Sequence, residues 1–380
     1  MKNFTAICGI LCAMAGAAHA GGIDRSGQPI SIIFEKGNYA ELSYGWINPS
    51  VSGNDEAIFG GRATGSVAGD HNLPGLALKY DFTDKLSGAI IYDQAYGADI
   101  LYPIGQSIAL GGTSAQMDSE GLTGLLRYKF NENFSVHGGI RASKAGGEVT
   151  LAGLAYSAPD GSNGLNGYNV NFDNAWGTGY VAGVAYERPE IALRVALTYF
   201  SKVEHELDTV ETLPANLGGV SLASVTTVDT PQAWHLDAQT GVAEDTLVFA
   251  NIRWVDWSEF LINPQTLEAL TGQGLVSLDD TTTYTLGVGR KFNENWSGTA
   301  FVTYEPSTGD DLVSPLAPTN GYKGIGFAAI YTKDNMRITM GARYLDLGDA
   351  KPETGTPDTA RASMEGNDAV ALGIKVGFSF

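Results

Sequence analysis

Apolar residues alternate with small or polar residues along much of this chain. Near the end, every second position is apolar: Val370, Leu372, Ile374, Val376, Phe378 and Phe380. The positions between them hold Ala, Gly, Lys or Ser. A period of two predicts a β-strand with one apolar face. The segment is also longer than the roughly 5–6 residues usual for strands of soluble proteins.

The same alternation recurs in earlier segments, at 191–199, 283–289, 324–331 and 337–344. In each, the face opposite the apolar one carries Gly, Ala, Thr or Arg. Such a strand is inside-out relative to a soluble β protein. It fits a wall with lipid on one side and a polar lumen on the other.

Connections between the segments alternate between short and long. The short ones lie at 81–85, 130–134, 187–190, 243–245, 292–296 and 332–335. The long ones lie at 51–72, 97–118, 152–174, 208–230, 259–280, 306–320 and 347–367. Six turns and seven loops join about 14 strands. The fold class predicted is an all-β, transmembrane, antiparallel up-and-down β-barrel with short periplasmic turns and long extracellular loops.

Aromatic residues sit at both ends of these strands with the outward parity. Beside the short turns these are Tyr80, Phe82, Phe130, Phe134, Tyr186, Phe292, Trp296 and Tyr331. Near the long loops they are Trp46, Tyr92, Trp254, Tyr304 and Tyr344. Two aromatic girdles are typical of a barrel that crosses a membrane.

The first twenty residues have the features of a secretory signal. Lys2 precedes an apolar stretch from Phe4 to Ala18, and Ala18-His19-Ala20 forms a small-residue cleavage site. The chain therefore divides into a signal peptide (1–20), a short N-terminal segment (21–38) and the barrel (39–380). We expect it in the outer membrane of a Gram-negative bacterium. Both cysteines, Cys8 and Cys12, lie in the signal, which excludes disulfides from the mature chain.

Charge and motifs narrow the function further. The chain has 23 basic against 42 acidic residues, which excludes a nucleic-acid partner held by phosphate contacts. The sequence contains no zinc-protease helix motif, P-loop or nucleophile elbow. We therefore predict a protein that is not an enzyme and that uses no cofactor and no metal.

Several short motifs resemble the FadL/TodX family of outer-membrane long-chain fatty acid transporters. They are Ser26–Pro29, Ala95–Gly97, Pro231–Trp234, Trp254–Phe260 and the C-terminal Phe380. Their order and spacing agree with that family over nearly all of 26–380. The terminal Phe380 resembles the signal that such barrels present to the barrel-assembly machinery.

The resemblance implies a fourteen-stranded barrel, plugged by its N-terminal segment, for passive uptake of hydrophobic molecules, most notably long-chain fatty acids. Ligand would enter a groove among the third and fourth long loops and leave sideways at a kink in the third strand. By position, that kink falls at Tyr96 and Gly97. The other implied partners are outer-membrane lipid and lipopolysaccharide, and the expected oligomeric state is a monomer.

The N-terminal segment departs from the family pattern. Only 21–27 precede Gln28, Pro29 and Ile30, the plug motif, whereas family members carry some tens of residues there. Seven residues reach at most roughly 25 Å. We therefore expect most closure to come from inward Arg side chains and from loops 152–174 and 208–230.

Head-group residues do not transfer from the family, because Leu151 and Pro264 stand at the matching positions. Arg141 and Lys144, near the top of the fifth strand, are the best candidates for an anionic head group. The alternative is that inward Arg residues pair with acids such as Asp93 and Glu187. Candidate groove residues are Leu151, Leu154, Tyr156, Leu165, Leu213, Leu217, Val220 and Leu222. They line a ligand groove or pack over the barrel mouth, and both interpretations stay open.

Two other functions stay open as well. One is a general diffusion porin for small polar solutes, since fourteen strands lie between filled barrels of ~8 strands and aqueous channels of ~16–18. The other is a structural or adhesion barrel in which only the loops matter.

Overall fold

The computed structural model describes residues 23–158, 164–309, 311–355 and 357–380. The predicted signal peptide lies outside them. Within these residues fourteen strands form the barrel wall: β1 (Tyr39–Ser50), β2 (His71–Asp81), β3 (Leu86–Asp93 and Gly97–Leu101), β4 (Ser114–Lys129), β5 (Phe134–Leu151), β6 (Tyr168–Arg188), β7 (Leu193–Phe200 and Val203–Thr212), β8 (Ser221–Thr230 and Ala233–Ala243), β9 (Thr246–Val255), β10 (Thr281–Lys291), β11 (Trp296–Glu305), β12 (Tyr322–Lys333), β13 (Met336–Leu347) and β14 (Asn367–Ser379).

The sheet closes on itself. β1 pairs antiparallel with β14, from Tyr39 opposite Ser379 to Ser50 opposite Asp368. Every other pairing in the wall joins strands that are neighbours in sequence, also antiparallel. The prediction of a closed antiparallel barrel with 14 strands is confirmed.

The two faces of the wall match the alternation in the sequence. Leu286 and Ile374 are exposed on the outer face, as lipid contact requires, whereas Thr283 and Lys375 are buried on the inner face. With lipid outside, the apolar side chains need no protein neighbours, and the polar ones are satisfied inside the lumen.

The sequence Phe-Asn-Glu-Asn occurs twice, at 130–133 and 292–295, and each copy forms a turn in the same way. The Asn131 side-chain oxygen accepts backbone hydrogen bonds from Asn133 (2.9 Å) and Phe134 (2.8 Å). Asn293 accepts the same pair of bonds in the turn between β10 and β11. An asparagine that bonds the backbone two and three residues on closes a tight turn, so both hairpins use the same device.

Several predicted loops are too long. Strand pairing continues into 97–118, 152–174 and 208–230, and the third strand does not end at Gly97. On these upper parts the outward positions are polar, for example Gln116, Asp118 and Glu148. Backbone pairing does not require lipid, so the strands rise beyond the apolar band. The apolar alternation is lost there, and the sequence pattern therefore suggested loops.

The extracellular end carries the chain's one helix within the described residues, α1 (Gln265–Thr271). Glu211, at the top of β7, is fully buried and accepts the backbone N–H groups of Thr266 and Leu267, each at 2.8 Å. The hydroxyl of Tyr168 donates to the same carboxylate at 2.8 Å. Taken over the described residues, no helix has the length and apolar character needed to span a membrane.

The N-terminal segment lies inside the lumen. It enters a 3₁₀ turn at Ser31–Phe34, and Ile32, Ile33 and Phe34 are buried there. These residues belong to the same apolar cluster as inward side chains of the wall. The segment therefore occupies more of the lumen than its length suggested, since residues 28–38 add to the few that precede them.

Candidate functional site

The start of the described chain pairs with the third strand at its interruption. The backbone N–H of Gly97 donates to the carbonyl of Ile23, and that of Arg25 donates to the carbonyl of Ala95, both at 2.8 Å. Asp24 and Tyr96 form the antiparallel bridge between these bonds. Residues 23–25 thus act as a short additional strand.

Charged side chains anchor this segment to the wall. Asp24 is fully buried and forms an ion pair with Arg253 of β9. Arg25 lies 3.2 Å from Asp118 of β4. Further along, Glu35 pairs with Arg337 of β13 at 2.8 Å. Three ion pairs to three different strands therefore hold this segment in the lumen. Its short length had suggested that it contributes little to closing the barrel.

The plug motif identified from the sequence lies within this segment. Gln28 and Ile30 are buried, and Pro29 is partly buried. Gln28 has a φ of 51°, a left-handed conformation uncommon outside glycine. It lies between the additional strand and the 3₁₀ turn.

β3 is interrupted at 94–96. Pairing with β4 stops at Asp93 opposite Gly121 and resumes at Gly97 opposite Asp118. The hydroxyl of Ser119 fills the gap, accepting from the N–H of Tyr96 (2.9 Å) and donating to its carbonyl (2.7 Å). The predicted kink at Tyr96 and Gly97 coincides with this interruption. A Cβ on Gly97 would collide with the guanidinium of Arg25, so a larger residue there would have to displace that side chain from its place beside Asp118.

The wall opens between β2 and β3 beside this interruption, and it closes again above, where Ala68 and Ile100 form an antiparallel bridge. Among the described residues, Leu76 to Asp81 of β2 pair with β3, whereas His71 to Gly75 pair only with β1. Pro74 lies in the stretch that pairs with β1 but has no partner in β3. Proline has no N–H to donate and is found at the edges of sheets, so its place inside an alternating strand marks this break. That signal is present in the sequence, but sequence analysis missed it.

A cavity of about 100 Å³ lies in the break. Its lining includes Ile32 on the lumen side and Pro74 and Gln94 at the broken edges. It also includes Tyr44 and Leu76, which are exposed on the outer face. Residues of both faces of the wall therefore border the cavity.

The two candidate residues for an anionic head group, Arg141 and Lys144, each form an ion pair with an acidic side chain. Arg141 is buried and donates to Asp93 at 2.8 Å and to Thr123 at 2.9 Å. Lys144 is half-exposed on the outer face and pairs with Glu120 at 3.2 Å. The structure does not bring the two together on one face, because they are three residues apart in a strand. Arg127 pairs with Glu187 as the alternative interpretation predicted.

The candidate groove residues of the third and fourth loops separate into two groups. Those packed into or against the apolar cluster are Leu151, Leu213, Tyr156 and Leu165. Those exposed at the surface are Leu154, Leu217, Val220 and Leu222. The two loops touch, since the Asn216 side chain donates to the carbonyl of Gly164 at 3.0 Å. The first group packs over the barrel mouth, and a ligand groove formed by the second group stays a prediction.

The second and sixth loops are also joined over the barrel mouth. The hydroxyl of Tyr102 donates to the carbonyl of Pro315 at 3.1 Å. Burial raises the pKa of Tyr102 well above its usual value, so the hydroxyl stays protonated and keeps this bond at any physiological pH.

The chain is similar in structure to a Pseudomonas aeruginosa FadL homologue, with 15% identity, 97% of each chain covered and a TM-score of 0.76. It is also similar to the P. putida toluene transporter TodX, with 14% identity, 92% of each chain covered and a TM-score of 0.64. The Ralstonia pickettii toluene transporter TbuX matches with 13% identity, coverage of 97% and 96%, and a TM-score of 0.64.

A search of curated protein sequences gives no match. A family model described as outer membrane protein transport protein (OMPP1/FadL/TodX) matches residues 3–379. That match covers nearly the whole chain. The protein therefore belongs to the FadL/TodX family, whose members are outer-membrane transport proteins for hydrophobic compounds and not enzymes.

Proposed function

We propose that this protein carries long-chain fatty acids or aromatic hydrocarbons passively across the outer membrane and releases them sideways through the break between β2 and β3. The observation that supports the proposal is the cavity in the break, which is bordered by Ile32 in the lumen and by Tyr44 and Leu76, whose side chains are exposed on the outer face. A hydrophobic molecule leaving there would enter lipid without crossing water.

The entry point proposed is the contact between the third and fourth loops. Leu154, Leu217 and Val220 are exposed there. Exposed apolar side chains on a surface loop suit the capture of an apolar ligand. Tyr96, which packs edge-on to Trp257 at 5.6 Å between ring centroids, would line the path where the third strand is interrupted.

The N-terminal segment makes a direct path to the periplasm unfavourable. Ile33 and Phe34 are buried below the break, so a ligand at the level of Tyr96 meets the segment beneath it and the cavity beside it. The same filling disfavours the porin alternative, because a small polar solute needs a continuous aqueous path.

The proposed substrate class is supported by the structural neighbours and by the ion pairs of Arg141 and Lys144, and not by the cavity. The FadL homologue and the toluene transporters are the neighbours in structure. Arg141 and Lys144 are engaged by acids, so these two side chains give no reason to require a carboxylate. We therefore place uncharged aromatic hydrocarbons beside fatty acids as substrates.

The experiment is uptake in a strain that lacks the gene, with and without a plasmid copy. Labelled oleate and toluene should enter faster with the plasmid, and a small sugar should enter at the same rate. Faster entry of the sugar would favour the porin. Equal entry of oleate and toluene with and without the protein would refute the proposal.

A further inference from the structure

Two guanidinium groups lie over one phenyl ring near the periplasmic end of the lumen. The Cζ atoms of Arg127 (β4) and Arg194 (β7) are each 4.6 Å from the centroid of the Phe34 ring. His137 of β5 meets the same ring edge-on, with 5.5 Å between centroids and an interplanar angle of 85°. All three polar side chains are buried. Three strands of the wall thus converge on a ring that belongs to the N-terminal segment.

Arg127 and His137 are each held by a partner in the wall. Nε of Arg127 donates to the hydroxyl of Ser135 at 3.0 Å, and its Nη2 pairs with Glu187. Nε2 of His137 lies 2.9 Å from the hydroxyl of Thr198.

Arg194 is held in the same way, because its Nη2 donates to Oε1 of Gln239 at 3.1 Å. In each arginine the edge of the guanidinium is used by the wall, and its flat face remains for a ring. The three side chains are therefore positioned independently of Phe34, and the seat they form is expected to persist without it.

The chemistry of this seat selects aromatic rings. A guanidinium over a ring face is attracted to the negative face of the π-system, and the attraction grows when both groups are out of water. A saturated ring of the same size gains no such attraction. Burial of apolar area favours both kinds of ring about equally. Any difference in affinity between the two rings therefore measures the contribution of the guanidinium groups.

We propose that Arg127, Arg194 and His137 form a binding site for a single aromatic ring, and that Phe34 occupies this site when the lumen is closed. An aromatic ligand in the lumen then competes with a ring that the protein carries on its own chain. The inference rests on the proposed function only in one respect, namely that transport brings aromatic molecules into the lumen. Binding itself is a property of the purified barrel.

The test compares two probes of similar size, benzyl alcohol and cyclohexylmethanol, titrated calorimetrically into the purified, detergent-solubilised full-length protein. Phe34→Ala should bind benzyl alcohol roughly tenfold more tightly than cyclohexylmethanol, the preference expected from two cation–π contacts. The unsubstituted protein, in which Phe34 fills the seat, gives the baseline binding of both probes at other apolar surfaces, and Phe34→Ala should exceed that baseline for benzyl alcohol.

Two further variants make the result specific. Adding Arg194→Gln to Phe34→Ala should reduce the preference severalfold while leaving cyclohexylmethanol binding unchanged. Phe172→Ala is the matched control, because it removes a buried ring near the extracellular end of β6 and should show no aromatic preference. If Phe34→Ala assembles poorly, Phe34→Ser replaces it, since serine also leaves the seat empty, and it should show the same preference for benzyl alcohol.

Equal binding of the two probes by Phe34→Ala would overturn the proposal. So would an equal aromatic preference in Phe172→Ala. These outcomes are separate from failure of the transport function, which is read from uptake by cells that express the unsubstituted protein.

Discussion

Replacing Asp24 with asparagine tests what keeps the N-terminal segment in the lumen. Asp24 is fully buried and is the ion-pair partner of Arg253, whose side chain is 7% exposed. Removing one partner of a buried pair leaves a charge without compensation and costs about 3–5 kcal/mol. The amide oxygen of asparagine still accepts a hydrogen bond, so we expect about 3 kcal/mol. At 1.4 kcal/mol per factor of ten, the ratio of docked to released segment falls by roughly 150-fold.

Single-channel recording in planar bilayers measures this ratio. Asp24→Asn should spend a much larger fraction of time in open states than the unsubstituted protein. Combining it with Arg253→Gln removes the uncompensated charge and should restore part of the closure. Glu190→Gln is the control, since Glu190 pairs with Arg188 on the exposed periplasmic side and should leave the closed state unchanged.

A closed Asp24→Asn barrel that assembles normally would refute this reasoning, as would openings of equal frequency in Glu190→Gln. Deletion of 21–27 also tests whether the N-terminal segment keeps the barrel closed. Chain length alone predicts that the deletion changes conductance little, whereas the buried pair predicts that it opens the barrel.

The remaining predictions concern single positions. Gly97→Ala should raise open-state occupancy in bilayer recordings because its Cβ displaces Arg25, and should have no added effect in an Arg25→Ala background; additive effects would contradict the packing argument. Leu286→Arg, on the lipid face of β10, should destabilise the barrel by about 2–4 kcal/mol, seen as a lower urea midpoint, and an unchanged midpoint would contradict the assigned face. Leu217→Ser, at an exposed loop position, should slow uptake of toluene without changing stability, whereas Leu213→Ala, buried in the cluster, should lower stability by about 2–5 kcal/mol; the reverse pattern would reject the proposed entry point.

Most of the barrel could be predicted from the sequence because lipid imposes a simple rule. Where a strand crosses the apolar band, every second residue must be apolar, as in Val370 to Phe380. Above the band that requirement ends, and the pairing of 114–118 or 168–174 leaves no alternation to detect. The predicted loops were therefore too long at the extracellular end.

The candidate site was only partly predictable. Tyr96 and Gly97 were found through family resemblance, and the third strand is interrupted beside them. Pro74 in β2 carried a local signal for the same break, which alternation on either side concealed. Asp24 and Arg253 are 229 positions apart, so no spacing rule links them. The partners of Arg141 and Lys144 depended on register between strands, which the sequence leaves undetermined.

Two expectations stay predictions: that Phe380 acts in barrel assembly, and that the protein is a monomer. Phe380 is exposed beside the end of β14, and its backbone N–H donates to the carbonyl of Asn38 at 3.1 Å. A charged replacement there should reduce the amount of heat-modifiable barrel in outer-membrane fractions.

We propose that hydrophobic molecules leave through the break between β2 and β3, and bridging that break tests this exit most directly. Cysteines at Pro74 and Gln94 would stand on its two edges, and the predicted mature chain holds no other cysteine. A short, reducible bifunctional thiol reagent would then bridge the break, with a cysteine pair at Thr285 and Thr303, on the paired strands β10 and β11, as the control. Bridging the break should lower oleate or toluene uptake to the level without the protein. Reduction should restore uptake, and bridging the control pair should have no effect. Full uptake through a barrel whose break is completely bridged would contradict the proposed exit.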